Sequence, residues 1–520
     1  MIALIGQIVT IGATFGSRIY LVQKLPIAQY GEIMLGVAMA SILSPIATIG
    51  IPYAMARQLA HAKNASERRN LVIAAVELAI PLAILAGIAL YLAAPYLSNW
   101  LGGADMTEVL RFFSAFLAFG IFSGVLGSLF QGDEDMLPTT LFNGILSPVL
   151  FLVAIIILFS TGASLSAALF AYIISSAIAL AGLALYTARA RARFIGSSQG
   201  DLLPKQEEGH TIRNLLLFSI PLTMMGVASV VTGNVDSLLL GYFKQSTSLV
   251  GTYSALLTMS RLLLLGVAAF SAIMIPVAAR LHKNHDLKEL GRSYATMTKW
   301  ILCIFIPLYL IFMILPSPTL LFVYRWETGN ATYASAPMVL RIVATGTMLT
   351  CIFGPATSVL IGLGKVRLLF YDTLASAIID VLGSLLLIPF LGIYGAAIAF
   401  ALATASLPFL AVIQTSMLSS VHPFTSTTLK PFAIFVIAAG LLLGLPVYFL
   451  NWTPGWIVVI AMFFVLVLLY VAIILGTRSM ETEDLHLLGV VERYLGRPLP
   501  PIRRVILHFR KNQLSDAKDL

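Results

Sequence analysis

Charged residues fall inside long apolar runs of the sequence, where an ionisable group is costly and marks a functional site by default. Among them are Arg18, Glu77, Arg111, Asp236, Arg261, Arg341 and Asp380. A guanidinium presents a planar fork of donors that matches phosphate oxygens, so Arg18 and Arg261 are candidates for holding a phosphate group. Asp236 would be their partner when the site is empty, which keeps either charge from being stranded. Asn234, two residues before Asp236, joins the candidate set. Arg57 and Arg280 stand at the inner ends of their runs and could meet an anionic head group on entry; anchoring by the positive-inside rule explains them almost as well. Arg111 and Arg341 begin their runs, where a long side chain can instead reach back to the interface, and Arg341 is kept as a binding candidate. Asp380, near the middle of its run, and Glu77 could each bind a coupling cation or a proton. A carboxyl kept protonated by burial, or hydrogen-bonded to a neighbouring helix, explains Asp380 equally well and Glu77 better.

The chemistry of an enzyme is not written here. No GxxxxGK[ST] loop occurs, and IGLGKV near Lys365 is not one, so nucleotide hydrolysis has no site. The histidines fall in connections, and no His, Cys and carboxylate cluster has the spacing of a metal site. The longest outer connection, Pro316 to Pro337, is about 20 residues, short for a catalytic domain. Transport is therefore expected, with no cofactor beyond a coupling Na+ or H+.

The elements that must position these charges are transmembrane helices. The chain is 59% hydrophobic and only 11% charged, and its mean hydropathy of +0.94 excludes an ordinary soluble protein. Backbone groups in lipid must be satisfied within the segment, and continuous apolar runs select helices over a barrel. Fourteen spans are expected, near 2–22, 31–51, 70–94, 108–130, 138–160, 164–187, 213–240, 250–275, 297–316, 337–361, 368–389, 394–417, 431–450 and 455–476. Twenty-five of the 32 Lys and Arg then fall in connections on one side. That skew predicts cytoplasmic N- and C-termini in a cell (plasma or inner) membrane. The net charge of +9 reflects the same rule and gives no reason to expect nucleic acid. GDED, Gly132 to Asp135, is an acidic exception on the basic side. Cys303 and Cys351 both lie in spans, which argues against a disulfide.

The chain repeats itself. Val109-Leu110-Arg111 recurs as Val339-Leu340-Arg341, and at the same offset Gly124, Ser128 and Gly132 meet Gly354, Ser358 and Gly362. IPYAMAR, Ile51 to Arg57, resembles IPVAAR, Ile275 to Arg280, and the Gly31 region resembles the Gly251 region. Six spans per copy is an even number, so the two copies are parallel repeats related by an axis along the membrane normal. The expected organisation is a six-helix lobe over 1–188, a polar cytoplasmic linker over 189–212 and a second six-helix lobe over 213–420. Two additional spans over 421–476 and a tail over 477–520 complete it. In PPIRRVILHFRKN the apolar residues Ile502, Val505, Ile506 and Phe509 share a helical face with a basic surround, so the tail could lie on an anionic lipid surface or on the protein itself. Pro45, Pro148, Pro221 and Pro355 are candidate kinks.

Several short motifs fit this layout: QYGEI (Gln29 to Ile33), GIPYAMAR (Gly50 to Arg57), FQGDED, FSIPL (Phe218 to Leu222), NVDSLLLGYF (Asn234 to Phe243) and VGTYSAL (Val250 to Leu256). With them the chain resembles the polysaccharide flippases of the multidrug/oligosaccharidyl-lipid/polysaccharide exporter superfamily. The resemblance implies an all-α integral membrane protein with two parallel, MATE-like lobes. It also implies translocation of lipid-linked oligosaccharides from the inner to the outer leaflet. The related lipid II flippases look similar in keeping arginines on their first, second and eighth spans, where Arg18, Arg57 and Arg261 stand here.

The expected function is thus a flippase for polyprenyl-(pyro)phosphate-linked oligosaccharides, working by alternating access beside membrane lipids and glycosyltransferases of its pathway. A cation-coupled exporter of small drugs has the same fold but calls for an anionic cavity, which the intramembrane arginines disfavour. A non-transporting membrane scaffold is the third reading.

Overall fold

A computed structural model describes residues 2–62, 65–103, 105–133, 135–160, 162, 164–190, 223–326, 333–419, 421–450, 454–477, 479–480 and 484. The expected linker, the amphipathic tail helix, Pro221 and the FSIPL motif lie outside the described residues. Among the described residues the regular structure is helical, without strands.

The helices follow the apolar runs. In the first half they are α1 (Ile2–Lys24), α2 (Ile27–Thr48), α3 (Ile51–His61), α4 (Ala65–Leu101), α5 (Met106–Gly132), α6 (Leu137–Ser160) and α7 (Leu165–Arg189). Next come α8 (Thr223–Val231), α9 (Val235–Lys244), α10 (Thr247–Ser260), α11 (Leu265–Lys283), α12 (Leu287–Ile314) and α13 (Pro316–Tyr324). The last are α14 (Ala336–Gly362), α15 (Val366–Leu391), α16 (Ile393–Ser419), α17 (Ser426–Leu450) and α18 (Trp456–Gly476). Side-chain caps start several of them. Ser164 Oγ accepts the Ala167 N–H at 3.2 Å before α7, and Asp286 Oδ1 accepts the Glu289 N–H at 3.0 Å before α12.

The protein is a multi-pass membrane protein. Eleven described helices are long and apolar enough to cross a bilayer, or twelve when the bent pair α8–α9 counts as one span. The expected count of fourteen is therefore not confirmed. Helical residues do occupy the remaining expected positions, but the eighth is interrupted by a 3₁₀ turn at Arg261–Leu264, between α10 and α11. A second irregular stretch, the π-helix Thr140–Leu146, lies within α6. Such stretches in the middle of a span leave backbone carbonyls for side chains to satisfy, and they recur at functional positions. The Thr10 hydroxyl donates to the Gly144 carbonyl inside the π-helix.

The described residues group into two compact units. The first holds the described residues of 2–255 and 380–396, the second those of 256–379 and 397–484. In the first unit α5 is central, packing against α2, α3, α4 and α7. Its apolar core joins Ile51, Met55 and Leu59 of α3 to Leu71 and Ala75 of α4, Leu126 and Phe130 of α5, and Leu183 of α7. Two glycines allow a close crossing in this unit. A Cβ on Gly31 of α2 would collide with the Thr247 carbonyl, and a Cβ on Gly251 of α10 would collide with the Ile27 carbonyl. The two equivalent segments of the repeat thus cross each other reciprocally, as a twofold-related pair would.

In the second unit α12 is central, packing against α11, α14, α17 and α18. Its core joins Met274, Ala278 and Leu281 of α11 to Leu290, Tyr294 and Met297 of α12, Ala356 and Leu360 of α14, and Ala411 of α16. The residues after α18 are tied down here. Lys299 Nζ, buried in α12, donates to Asp484 Oδ2 at 2.8 Å and to the Ser479 carbonyl at 2.9 Å, while Trp300 Nε1 donates to Asp484 Oδ1 at 2.7 Å. Burial of that ion pair is tolerable because its charges are matched and additionally hydrogen-bonded.

Candidate functional site

The span that opens the second half is broken. Helices α8 and α9 meet at an angle of 52° across Thr232–Asn234. At the end of α8 side chains add to the backbone bonds on two carbonyls: Thr232 Oγ1 donates at 3.0 Å to the Ala228 carbonyl, which also accepts the Thr232 N–H, and Asn234 Nδ2 donates at 2.8 Å to the Val230 carbonyl, which also accepts the Gly233 N–H. Asn234 thereby acts as a brace for the break. The sequence marks it with Thr-Gly-Asn, a run of turn-forming residues inside an apolar segment.

Asp236 follows immediately, in the first turn of α9, and is fully buried. The position suits a carboxylate, because the N-terminal end of a helix carries partial positive charge. Its Oδ1 accepts the Ser237 N–H at 2.7 Å, and its Oδ2 accepts the hydroxyl of Tyr253 from α10. The same hydroxyl lies 3.3 Å from the Ala396 carbonyl. The partners of Asp236 thus include a phenol and a backbone amide.

Asp380, in the middle of α15, is also fully buried, and neither of its carboxylate oxygens has a hydrogen-bond partner. Ser384, one turn further along the same helix face, is buried with its hydroxyl unpartnered. The charge of Asp236 acts on Asp380. The first unit therefore gathers two buried carboxyls with a phenol, a hydroxyl and a backbone carbonyl near at hand. Two buried carboxyls that act on one another carry a repulsion which a bound cation or a proton removes. All the donors are hard oxygens, the chemistry of an alkali cation or a proton rather than of a transition metal. Among the described residues no group of three or more His, Cys, Asp or Glu could hold a metal ion.

The other predicted residues are spread more widely. Arg18, half-buried in α1, lies close enough to Tyr172 of α7 for its charge to act on that ring. Tyr172 belongs to an aromatic cluster with Phe113, Phe116 and Phe151, ring centroids 4.1 to 5.7 Å away. Arg57 is exposed on α3. Arg261, half-buried, is the first residue of the 3₁₀ turn that interrupts the eighth span. Arg341 Nε donates at 2.8 Å to the Met313 carbonyl at the end of α12, satisfying a helix-end acceptor. Glu77 is exposed on α4. Of the two acids expected to bind a coupling ion, Asp380 joins Asp236, whereas Glu77 stands apart on the surface of its helix. Tyr253 and Ser384 were not singled out by residue type. Tyr253 does lie in VGTYSAL, one of the motifs behind the family resemblance.

Comparison with known proteins bears on this arrangement. The family model described as "Polysaccharide biosynthesis protein" matches residues 1–282, more than half of the chain. No curated protein matches the chain. Among solved structures, a lipid II flippase MurJ in an inward closed conformation is similar with a TM-score of 0.65 and 14% identity, covering 90% of this chain and 98% of that one. A multidrug resistance MATE family transporter of the MOP superfamily, inward-facing, also has a TM-score of 0.65, at 15% identity over 78% of this chain and 94% of its own. A MOP superfamily transporter from Pyrococcus furiosus, described as having a binding pocket of reverse polarity, gives 0.52 at 16% identity over 81% and 94%. The fold is that of the MOP transporters, as the resemblance read from the sequence implied.

Proposed function

The chain belongs to the polysaccharide biosynthesis protein family, and from that premise we propose that it is a flippase for polyprenyl-(pyro)phosphate-linked oligosaccharides. The observation that carries this reading is the family match joined to guanidinium groups within spans. Arg18 in α1 and Arg261 at the interruption before α11 are suited to a phosphate or pyrophosphate, whose charge must be compensated away from water. The sugar follows the phosphate through the protein while the lipid tail stays in the bilayer. Translocation proceeds by alternating access and consumes no nucleotide.

The acids of the first unit supply the driving step. Asp236 and Asp380 bind Na+ or H+, and Tyr253 and Ser384 offer further oxygen ligands. Filling the site removes the repulsion between the carboxyls and favours one arrangement of the break at Thr232–Asn234. A ligand shifts such an equilibrium only by its difference in affinity for the two states, and an ion that neutralises one of them has such a difference.

The test is export of glycan in a strain lacking its own flippase, with Arg18→Ala, Arg261→Ala and Asp236→Asn compared at equal protein levels. We expect each variant to lose most of the complementation. Wild-type export by all three would remove these residues from the mechanism. A drug-exporter reading has the support of the equal TM-score to the MATE transporter. Gradient-driven efflux of a cationic dye from vesicles, undiminished by added lipid-linked sugar, would favour it over the flippase.

A further inference from the structure

The second unit contains a buried carboxyl that the transport mechanism above does not use. Asp372 lies in the second turn of α15 and is 3% exposed. Its Oδ1 accepts a hydrogen bond from Gln414 Nε2 of α16 at 2.7 Å. The other two polar atoms of the pair, Asp372 Oδ2 and Gln414 Oε1, are both buried without partners. In a carboxylate facing a carboxamide, those two atoms are both acceptors and repel. Adding one proton to Oδ2 turns that oxygen into a donor, and Gln414 Oε1 is the acceptor it lacks. A carboxylic acid and a carboxamide then close a ring of two hydrogen bonds in which both carboxyl oxygens, the amide oxygen and the amide nitrogen each have a partner.

We propose that Asp372 is a proton-binding site, protonated when α15 and α16 are joined as seen here and held by Gln414 in an acid–amide ring. Release of the proton leaves a buried carboxylate against an amide oxygen, which breaks one of the two bonds and loosens α15 from α16. The site would therefore work as a proton-operated clasp between these two helices. It does not depend on the cargo assignment and uses none of the residues at Asp236.

The charged groups around it support a proton rather than an ion pair. Leu369 of α15 and Ala411 and Val412 of α16 share the apolar cluster with α11, α12 and α14. At this end α11 carries Arg280, His282 and Lys283, and α12 carries Lys288, Glu289 and Arg292. Lys365, Arg367 and His422, near the ends of α15 and α16, are exposed.

Infrared spectra of the purified full-length protein in lipid nanodiscs, recorded in H2O and D2O at neutral pH, test the assignment. The expected result is a protonated-carboxyl stretch that shifts in D2O, one component of which is lost in Asp372→Asn and kept in Asp372→Glu and Asp380→Asn. Asp372→Asn supplies an N–H where the acid supplied an O–H, so its thermal midpoint should match the wild type. Gln414→Leu, which leaves the acid unpartnered, should lower the midpoint. A band unchanged in Asp372→Asn overturns the proposal, as does a midpoint for Asp372→Asn that falls as far as that of Gln414→Leu. A rise in wild-type midpoint with added NaCl that Asp372→Asn abolishes would assign the site to a sodium ion instead and also overturn it.

Discussion

The two copies of the repeat share their packing and differ in their chemistry. In the first, Gly132 at the end of α5 lies against Ala56 and Leu59 of the IPYAMAR helix. In the second, Gly362 at the end of α14 lies against Ile275, Ala278 and Ala279 of the IPVAAR helix. The apolar cores that surround these contacts are built from corresponding helices. The polar residues do not correspond in this way. Offset by 230 as in the repeat, Asp380 of α15 meets Leu150 of α6, an apolar position. Asp236 follows the break in the second copy's opening span, whereas α1 runs unbroken and carries Arg18. Duplication preserved the apolar contacts that hold a helix in place. The polar positions, where an ion or a phosphate would be met, then diverged.

The sharpest way to break this comparison is at the crossing of α2 and α10. Because a Cβ at either Gly31 or Gly251 would meet a backbone carbonyl, neither collision can be relieved by a rotamer change. Gly31→Ala and Gly251→Ala should each destabilise at or beyond the upper end of the ~1–3 kcal/mol usual for overpacking. Because the contacts are reciprocal, the two losses should be similar. Size-exclusion profiles and thermal midpoints in one detergent measure this. Full stability in one variant and collapse in the other would show that the crossing is not shared between the copies.

A functional test sharpens the chemical side. Asp380→Asn keeps the size of the side chain and removes its charge, so it should fold normally. Ion-stimulated transport should nevertheless fall by about tenfold or more, roughly 1.4 kcal/mol. Leu150→Asn, at the matching position of the first copy, should leave ion dependence intact. Vesicle uptake measured with and without a Na+ or pH gradient separates the two. Equal loss of ion stimulation in both variants would contradict the divergence of the copies.

Much of this layout was legible before any coordinates. The apolar runs, the repeat and the glycines that mark it are local or periodic signals, and each reappears as a helix or a close contact. Asp236 and Asp380 announced themselves by the cost of an acid in a span. Their neighbourhood did not. Tyr253 reaches Asp236 from the next helix, and no spacing rule connects a phenol to an acid seventeen positions earlier. The break in the seventh span at Thr232–Asn234 was not expected, because a glycine flanked by side chains that bond backward is a weaker signal than a proline. Asp372 escaped notice for the opposite reason. It sits near the end of its span, where an acid looks solvated, and only its 3% exposure and its pairing with Gln414 reveal a buried group.

The smallest expected effect separates the two matched glycine contacts. A Cβ at Gly132 would lie 2.7 Å from Leu59 Cβ, 2.9 Å from Leu59 Cδ2 and 3.0 Å from the Ala56 carbonyl oxygen. One of those atoms can move away when Leu59 changes rotamer. A Cβ at Gly362 would lie 2.9 Å from the Ile275 carbonyl oxygen and 3.0 Å from the Ala279 nitrogen, with Ala278 Cβ nearer still. None of those atoms can move without the helix. Both Gly132→Ala and Gly362→Ala should therefore destabilise by about 1–3 kcal/mol, and Gly362→Ala should be the worse by less than about 1 kcal/mol. Paired thermal unfolding in the same detergent resolves the order. A milder loss at Gly362 than at Gly132 would mean that the second copy yields at this contact and that the two cores are not equivalent supports.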